Sequence, residues 1–390
     1  MGISLSAPGL VCCAGNGREA LYDNAVHGNQ VGIIPFLTSD GRRFPAGIVP
    51  EGILQGVSED TRLFRMARIA LEQIRIDVED AVDIYGHERV GVCAGTCDNG
   101  SEKSLPAHKA YFSGNGFPEK YELKHQGASQ VAEFAAALFD VRGPCLTVTT
   151  ACASSAGAIV KGAQLIKSGI CDAVICGGVD LVSETVLLGF AALEAVSDEV
   201  CNPFSMNRKG INLGEGAAFF LLRKEDVKKE QDLNIELLGW GESSDAYHMT
   251  APRPDGSGAQ AAMWEALEMA GVCAPDVDYI NLHGTGTPLN DIMEALAVQA
   301  VFAGKPPPVS STKPITGHTL GAAGALELAL CWMALAEGAL PAHCWDGRPD
   351  EEMPPLNFAS PSTVGNPKVC MSNSFAFGGC NTSLIIGRKC

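Results

Sequence analysis

The sequence predicts a layered α/β fold in which buried strands alternate with helices. Two continuous apolar runs, Ala173–Cys176 and Tyr279–Leu282, end at glycine-containing turns, as is typical of parallel strands covered on both faces. Apolar residues recur every three or four positions over Ser154–Ser168 and Leu320–Ala336, which predicts two helices, the second ending at Gly338. Strands that alternate with helices in this way indicate an α/β architecture.

Length and composition bound the possible functions. The chain has 390 residues, of which 46% are hydrophobic and 19% charged, so it can bury a large core and is not largely disordered. It carries 28 Lys and Arg against 45 Asp and Glu, a formal net charge of −17. That charge argues against nucleic acid as a main partner, and any acidic partner would need a local basic patch.

A charged stretch divides the chain into two parts. The segment Arg223–Asp232 reads RKEDVKKEQD and is typical of an exposed helix or connector. It predicts a first half over residues 1–228 and a second half over residues 229–390. Each half contains a strand, a turn and a helix that carry reactive side chains.

Cysteine usage and hydropathy indicate the compartment. The fifteen cysteines are scattered and include no C-x-x-C pair, so we expect reduced thiols, no structural metal and a cytoplasmic location. No basic residue precedes Arg18, so the charged start of a signal peptide is missing. The apolar segment Leu328–Ala336 is too short to cross a bilayer, and we expect no membrane span.

The first candidate site is a cysteine between a strand and a helix. The apolar run Leu146–Val148 leads to Cys152, and the predicted helix from Ser154 follows at once. A helix N-terminus favours the thiolate over the thiol, and its free N–H groups can hold the oxyanion of a carbonyl that the sulfur attacks. The pattern predicts a nucleophile, although by itself it also fits a buried structural cysteine.

The second candidate site is a histidine followed by a glycine-rich loop. His283 ends the run from Tyr279, and Thr285 and Thr287 lie in the loop. This loop can approach a ligand closely, and its hydroxyls can bond an amide-bearing chain. Glu294 lies in the helix that we expect to start at Asp291. The alternative interpretation is that His283 is an ordinary loop histidine whose hydrogen bonds are satisfied within the fold.

Two further segments carry reactive or mobile groups. Lys313 and His318 lie five residues apart in a turn that opens the glycine- and alanine-rich helix, where the helix N-terminus keeps a histidine neutral. Near the C-terminus, a predicted strand pair is joined by a loop that holds Phe375, Phe377 and a Gly-Gly turn. Phe377 is suited to supply a backbone N–H or to act as a gate.

Together these segments resemble the elongating β-ketoacyl-acyl carrier protein synthases (types I and II) of the thiolase superfamily, over nearly the whole chain. The resemblance implies a thiolase-like, five-layered αβαβα fold with two pseudo-duplicated halves. It extends to Val11–Gly17, Gly177–Asp180, Asn202–Phe204, Gly214–Ala217 and Ser243–Thr250.

The resemblance implies a decarboxylative Claisen condensation by a 3-oxoacyl-acyl carrier protein synthase, in fatty-acid or in specialised polyene or polyketide biosynthesis. Cys152 would carry the acyl group, and His283 and His318 would promote decarboxylation of the malonyl carrier. The N–H groups of Cys152 and Phe377 would form the oxyanion hole. A Cys-His-Asn set would have indicated initiating synthases, and a Cys-His-Cys set thiolases.

The family also implies supporting roles. Lys313 would order the site electrostatically, with Glu294 as its supporting acid. Thr285 and Thr287 would bond the pantetheine arm, and Phe377 would double as the gate. No cofactor or metal is expected, because the substrates travel on the phosphopantetheine of acyl carrier protein.

Two features set this chain apart from many relatives. Asp98 falls where they have a small apolar stretch of the acyl pocket, to which Phe375 is also assigned. An unpaired carboxylate there would be costly, which favours a polar, unsaturated, aryl or short acyl chain. Gly286 replaces a frequent serine, as in polyketide-type synthases.

The family implies acyl carrier protein as a partner and a two-fold dimer, formed either with a second copy or with a subunit like a chain-length factor. Two other classes of function stay open: a non-catalytic chain-length partner, which lacks the nucleophile, and an acyltransferase that does not condense. Basic residues in two clusters are candidates for carrier docking: Arg62, Arg65, Arg68, Arg208 and Lys209.

Overall fold

Fourteen strands are present in the described part of the chain. A computed structural model describes residues 2–98, 100–224 and 233–388. The predicted strands from Ala173 and from Tyr279 are confirmed. The strands are β1 (Ile3–Leu5), β2 (Gly9–Cys12), β3 (Gly15–Asn16), β4 (Ile33–Leu37), β5 (Arg43–Gly47), β6 (Val90–Gly95), β7 (Cys145–Val148), β8 (Ala173–Asp180), β9 (Gly216–Lys224), β10 (Ile235–Ser244), β11 (Tyr279–Asn281), β12 (Val309–Ser310), β13 (Val369–Phe375) and β14 (Cys380–Arg388).

Twelve α-helices accompany the strands in the same residues. The helix predicted from Ser154 is confirmed, and the helix predicted from Leu320 starts as a 3-10 turn and ends at a left-handed Gly338. The helices are α1 (Arg18–His27), α2 (Glu51–Leu54), α3 (Arg62–Glu72), α4 (Arg75–Tyr85), α5 (Ser101–Ala110), α6 (Gln130–Phe139), α7 (Ser154–Lys167), α8 (Glu184–Ala192), α9 (Ser257–Ala270), α10 (Pro288–Val301), α11 (Lys313–Thr316) and α12 (Ala323–Glu337).

The two halves repeat one pattern of strand pairing. In the first half, β2 and β9 are antiparallel, β9 and β8 antiparallel, β8 and β6 parallel, and β6 and β7 parallel. In the second half, β10, β14, β13, β11 and β12 pair in the same sequence of directions. The short β1 pairs with both β9 and β10 and joins the halves. The pairing confirms the predicted pseudo-duplication.

Three apolar clusters define the layers. One lies around α7 and α12 and contains side chains from the strands of both halves. A second lies under α3, α4 and α6 on the outer face of the first half, and a third under α9 and α10 on the outer face of the second half. The order of helices, sheet, helices, sheet and helices is the predicted five-layered αβαβα arrangement.

The repeat places reactive residues at equivalent ends of the two halves. Cys152 follows β7 and precedes α7, and His318 follows β12 and precedes α12. The starts of these two helices touch, since Ala325 N–H donates to Ser155 Oγ at 2.9 Å. A side chain at Gly324 would place its Cβ 2.8 Å from the Cβ of Ala156, so the close approach depends on this glycine. The carboxyl ends of the parallel strands therefore meet at one place between the halves.

The described residues bear on the predicted apolar segment and on the predicted reduced cysteines, but not on the predicted boundary between the halves. The apolar segment predicted to be short continues over Leu320–Glu337, long enough to cross a membrane, but 89% of it is buried inside the protein, as befits a core helix. The predicted boundary between residues 228 and 229 lies outside the described residues and stays a prediction. The fourteen cysteines in the described part are all free thiols.

Candidate active site

The candidate nucleophile lies in a strained turn between a strand and a helix. Cys152 is the centre of a 3-10 turn that leads from β7 into α7, and its side chain is buried. The preceding residue, Ala151, has φ = +48°, a left-handed conformation that is costly for a residue with a Cβ. The strand, turn and helix aim the thiol into the space between the two halves.

Three reactive side chains from both halves converge on this space. Ligand atoms of Cys152, His283 and His318 all lie within 4.8 Å of one another, and all three residues are buried. The two imidazole rings are 5.3 Å apart at 85° to each other. The fold thus unites the thiol and the two imidazoles, as the sequence predicts.

Hydrogen bonds fix which nitrogen of each imidazole carries the proton. Leu320 N–H donates to His318 Nδ1 at 3.1 Å, so the proton of the neutral ring is on Nε2. Lys313 Nζ lies 3.5 Å from His283 Nδ1 and, as an ammonium donor, gives that ring the same tautomer. Burial, reinforced by the charge of Lys313, holds the pKa of both histidines well below the usual value, so both are neutral N–H donors.

The supporting acid of Lys313 differs from the sequence prediction. The Lys313 ammonium is buried and donates to the Glu327 carboxylate and to the His283 carbonyl. Burial raises the pKa of Glu327 to about 7, and the Lys313 charge opposes that rise. Glu327 lies in the first turns of α12. The signal in the sequence that could have identified it as the partner of Lys313 is an acidic residue inside a largely apolar helix.

Glu294 supports the histidine loop instead. Its two carboxylate oxygens accept the backbone N–H groups of His283 and Gly284, each at 2.7 Å. Burial raises the pKa of Glu294 to about 8, and the two backbone donors oppose the rise. The prediction that Glu294 partners Lys313 is wrong, because the carboxylate is occupied by the turn that presents His283.

The thiol is less acidic than the helix position suggested. Burial raises the pKa of Cys152 to about 11, while the charge of Lys313 and a hydrogen bond from the Phe377 N–H act in the opposite direction. Desolvation therefore outweighs these two effects, and the resting group is a thiol. The Phe377 N–H hydrogen-bonds the Cys152 sulfur, and its predicted role as an oxyanion donor stays a prediction.

Alkylation of Cys152 should report this raised pKa. Below about 11 the thiolate fraction rises tenfold per pH unit, so the iodoacetamide rate at Cys152 should climb about tenfold per unit from pH 7 to 9.5. Lys313→Met should slow it further, because the ammonium favours the thiolate. Peptide mass spectrometry measures the rate at this residue, and the exposed Cys273 serves as an internal reference. A plateau below pH 8 would contradict the assignment.

The loop residues lie at the edge of the site. Thr285 and Thr287 hydroxyls bond each other at 2.9 Å, the first buried and the second half-buried. The Phe377 ring lies 5.5 Å from the Phe190 ring, a contact that the sequence did not suggest. The predicted roles of the two threonines on a pantetheine arm and of Phe377 as a gate stay predictions.

The two residues assigned to the acyl pocket have different surroundings. The Asp98 carboxylate accepts the N–H groups of Gly100 and Ser101 and so begins α5. Phe375 packs in the outer core of the second half, its ring 6.3 Å from that of His283. The inference of a polar acyl chain from Asp98 therefore loses its basis, because the carboxylate is already paired.

The first basic cluster is neutralised within the fold. Arg62 pairs with Glu51 and with the buried Glu215, and Arg65 pairs with Glu51. Arg68 pairs with Glu59 and Glu72. The three arginines share a face of α3, but each is paired with acids, so the positive charge of this cluster is largely compensated; its role in carrier docking stays a prediction.

Arg208 is also a structural residue, which contradicts its predicted role in docking. Its side chain is 6% exposed, pairs with Asp350 and donates to the Ser205 carbonyl. Lys209 is 50% exposed, lies near Asp198 and Glu199, and stays a candidate for docking.

Substituting these neighbours should separate stability from docking. Arg208→Ala leaves Asp350 without its partner and should lower the free energy of unfolding by about 3 kcal/mol. Lys209→Ala should change it by less than about 0.5 kcal/mol, because exposed pairs contribute little. Urea unfolding measures both, and equal stability of the two variants would reject the structural role of Arg208.

The convergent atoms also bear on metal binding. Cys152, His283 and His318 are the kind of thiolate and imidazole set that can hold a soft divalent ion. An ion there would occupy the thiol that the family chemistry requires. That the reaction needs no metal stays a prediction.

A thiolase-like fold with a cysteine and two histidines between its halves defines the class of condensing enzymes. The chain matches "Beta-ketoacyl synthase, N-terminal domain" over residues 54–227 and the C-terminal domain of that family over residues 235–344. It is 31% identical to 3-oxoacyl-[acyl-carrier-protein] synthase 2 of Coxiella burnetii, over 99% of this chain and 98% of that protein. The chain belongs to the β-ketoacyl synthase family.

Solved structures agree with this assignment. A ketosynthase solved in complex with its chain length factor from Xenorhabdus doucetiae matches with a TM-score of 0.91 and 38% identity, over 100% of this chain and 98% of that one. A beta-ketoacyl synthase from Burkholderia phymatum matches with a TM-score of 0.86 and 25% identity, over 100% of both chains. The protein is an enzyme of the acyltransferase type. It is a ketosynthase that catalyses a condensation in fatty-acid or polyketide synthesis.

Proposed function

We propose that the enzyme condenses an acyl group held on Cys152 with a malonyl group held on acyl carrier protein. The observation that carries the proposal is the convergence of one thiol and two neutral imidazoles within 4.8 Å in a buried space. A soft nucleophile and two N–H donors are what a thioester exchange followed by an enolate-forming step requires.

In the first half-reaction, the Cys152 sulfur attacks the acyl thioester. A C–S bond forms at Cys152, the C–S bond to the pantetheine breaks, and the Cys152 proton leaves with the pantetheine sulfur. The oxyanion of the intermediate is held by the backbone N–H groups of Cys152 and Phe377, and the contact from Phe377 to the sulfur supports this role.

In the second half-reaction, the malonyl thioester loses CO₂. Its C–C electron pair becomes the enolate, whose oxygen accepts the Nε2–H groups of His283 and His318. The fixed tautomer of each ring supports this donation. The enolate carbon attacks the acyl-Cys152 carbonyl, a C–C bond forms, the C–S bond to Cys152 breaks, and the released thiolate takes a proton from the solvent. Burial, reinforced by the charge of Lys313, lowers the pKa of both rings and keeps them neutral.

The acyl chain lies in an apolar cluster beside the thiol. The Cys97 thiol donates to the Ala151 carbonyl at 3.2 Å, next to Cys152. The cluster reaches Phe190, which touches the gate residue Phe377. An apolar wall accepts a hydrocarbon chain without leaving polar groups unpaired. The buried members of the cluster are Ala46, Val182, Leu187, Ile211, Leu213 and Leu320, and Cys97 and Phe190 are among the half-buried side chains packed against it.

The pathway is specialised polyene or polyketide synthesis. The chain shares 38% identity with a ketosynthase solved with its chain length factor and 31% with a 3-oxoacyl-[acyl-carrier-protein] synthase 2. Gly286 has the form found in polyketide-type synthases. Acyl carrier protein delivers both substrates, the enzyme works in the cytoplasm, and no cofactor is needed.

A second ketosynthase-fold subunit, like a chain length factor, pairs along β7. This strand is the end of the large sheet and has a neighbour on one side, β6. Leu146 in β7 is 42% exposed, although most strand residues of the sheet are buried. An exposed, apolar edge strand is a template for a further strand.

Leu146→Lys should break this pairing. A charge on the edge opposes strand addition, so native mass spectrometry of the variant should show monomer at concentrations where the wild type, alone or co-expressed with its partner, is dimeric. Ile84→Lys on α4, at a residue of 48% exposure, is the matched control and should remain dimeric. Unchanged assembly of both variants would reject the β7 interface.

Mass spectrometry of the acylated enzyme tests the proposed function. After incubation with a panel of acyl carriers, the protein should gain the mass of one acyl group, and peptide mapping should place it on Cys152. Adding malonyl carrier should discharge it as a 3-oxoacyl product. Absence of acylation, or acylation of another residue, would reject the proposal.

A further inference from the structure

One buried carboxylate outside the reactive triad receives a cluster of hydrogen bonds. Asp180 ends β8 and is 1% exposed. Its Oδ1 accepts the Thr96 hydroxyl at 3.0 Å and the Asp98 N–H at 2.9 Å. Its Oδ2 accepts the Cys97 N–H at 2.8 Å and the Gly321 N–H at 2.6 Å. The three backbone N–H groups can only donate, and the Asp180 carboxylate accepts hydrogen bonds on both of its oxygens.

These donors come from two different loops. Thr96, Cys97 and Asp98 follow β6 in the first half of the chain, and Gly321 lies in the 3-10 turn before α12 in the second half. The contact requires glycine, because a Cβ at position 321 would lie 2.5 Å from Asp180 Oδ2 and 2.8 Å from the Cys97 nitrogen. Asp180 is therefore a cross-link between the two halves.

Each loop leads directly to a reactive group. Gly321 follows Leu320, whose N–H fixes His318 and whose φ of +51° is a strained backbone conformation. On the other side, the Cys97 thiol donates to the carbonyl of Ala151, the residue before the nucleophile. A shift of the Asp180 carboxylate would move the two loops apart.

We propose that Asp180 is a positioning residue for condensation, which clamps the two loops together and keeps the His318 imidazole in register with the Cys152 thiol. This inference rests on the proposed function of the site. None of the described hydrogen bonds of Asp180 goes to an imidazole or to the Cys152 sulfur, so it acts on His318 through the Leu320–Gly321 turn. Its negative charge is also one of the smaller effects that raise the pKa of Cys152, and an amide at position 180 would remove it. Misplacing a catalytic group by about 1 Å is enough to cost about 10²-fold in rate.

Asp180→Asn tests the clamp with an isosteric side chain. The amide nitrogen donates instead of accepting, so at least one of the two loops loses its acceptor. Acyl transfer needs Cys152 and the oxyanion hole, whereas condensation also needs His318. We expect acyl transfer to Cys152 within threefold of wild type and CO₂-linked condensation reduced at least tenfold. Gly321→Ala disrupts the same contact from the other loop. It should likewise reduce condensation at least tenfold and leave acyl transfer within threefold of wild type.

Asp172→Asn is the matched control, since this carboxylate lies before the opposite end of the same strand, where it pairs with Arg89 and Lys224. It should leave both steps within threefold. If Asp180→Asn does not fold, Gly321→Ala decides. Wild-type condensation in the variants, or an equal loss of both steps, would overturn the positioning role. A wild-type enzyme that never condenses would instead overturn the proposed function.

Discussion

Cys152→Ser should abolish condensation while leaving the fold intact. The hydroxyl occupies nearly the same volume, but it is a far weaker nucleophile at neutral pH than a thiol, and condensation should fall on the order of 10⁴-fold or more. The imidazole donors are unchanged by the substitution. Release of CO₂ from malonyl carrier without a condensed product should therefore persist, and both quantities can be followed in one assay with labelled malonyl carrier.

Cys273→Ser is the matched control for that substitution, because Cys273 is an exposed thiol outside the site. It should condense at the wild-type rate. If Cys152→Ser retained more than a hundredth of the condensation rate, the acyl group would have to sit on another residue, and the assignment of the nucleophile would fail.

His283→Ala and His318→Ala should each remove a donor from the enolate oxygen. Loss of one such donor in a buried site costs about 10²- to 10³-fold in rate. The effect should fall on decarboxylation, while acyl transfer to Cys152 should be much less affected, because that step uses the backbone N–H groups. Rates of CO₂ release and of acyl-enzyme formation, measured separately, give the two numbers.

The control for the histidine variants is His27→Ala, a half-exposed side chain at the end of α1. It should change neither rate. Equal losses of acyl transfer and decarboxylation in the His283 and His318 variants would contradict the division of labour between the oxyanion hole and the imidazoles.

The sequence predicts the fold and the reactive triad well, for a physical reason. Cys152, His283 and His318 each follow an apolar strand and lie in a turn rich in small residues. Such a turn can be recognised in the sequence because the close approach of two backbones requires small residues. Gly324 is an example, since a Cβ there would meet Ala156. The carboxyl ends of neighbouring parallel strands lie at the same edge of a sheet, so the turns that follow them come together once the strands pair.

What the sequence does not show depends on burial and on long-range partners. The acid that pairs with Lys313 is Glu327, fourteen residues further on and inside an apolar helix, whereas Glu294 binds backbone N–H groups. The sequence does not reveal the exposure of a side chain either. The Arg208 side chain is almost fully buried, whereas the adjacent Lys209 side chain is exposed. The thiol pKa depends on desolvation, which only the packed structure reveals.

The stoichiometry of a single turnover tests the central claim most directly. Enzyme acylated on Cys152 is mixed with malonyl carrier, and the CO₂ released, the acyl group lost from Cys152 and the product on the carrier are measured together. The account predicts one CO₂ for each acyl group lost and a 3-oxoacyl product two carbons longer than the starting chain. An acyl group that leaves Cys152 without CO₂, with its chain length unchanged, would contradict it.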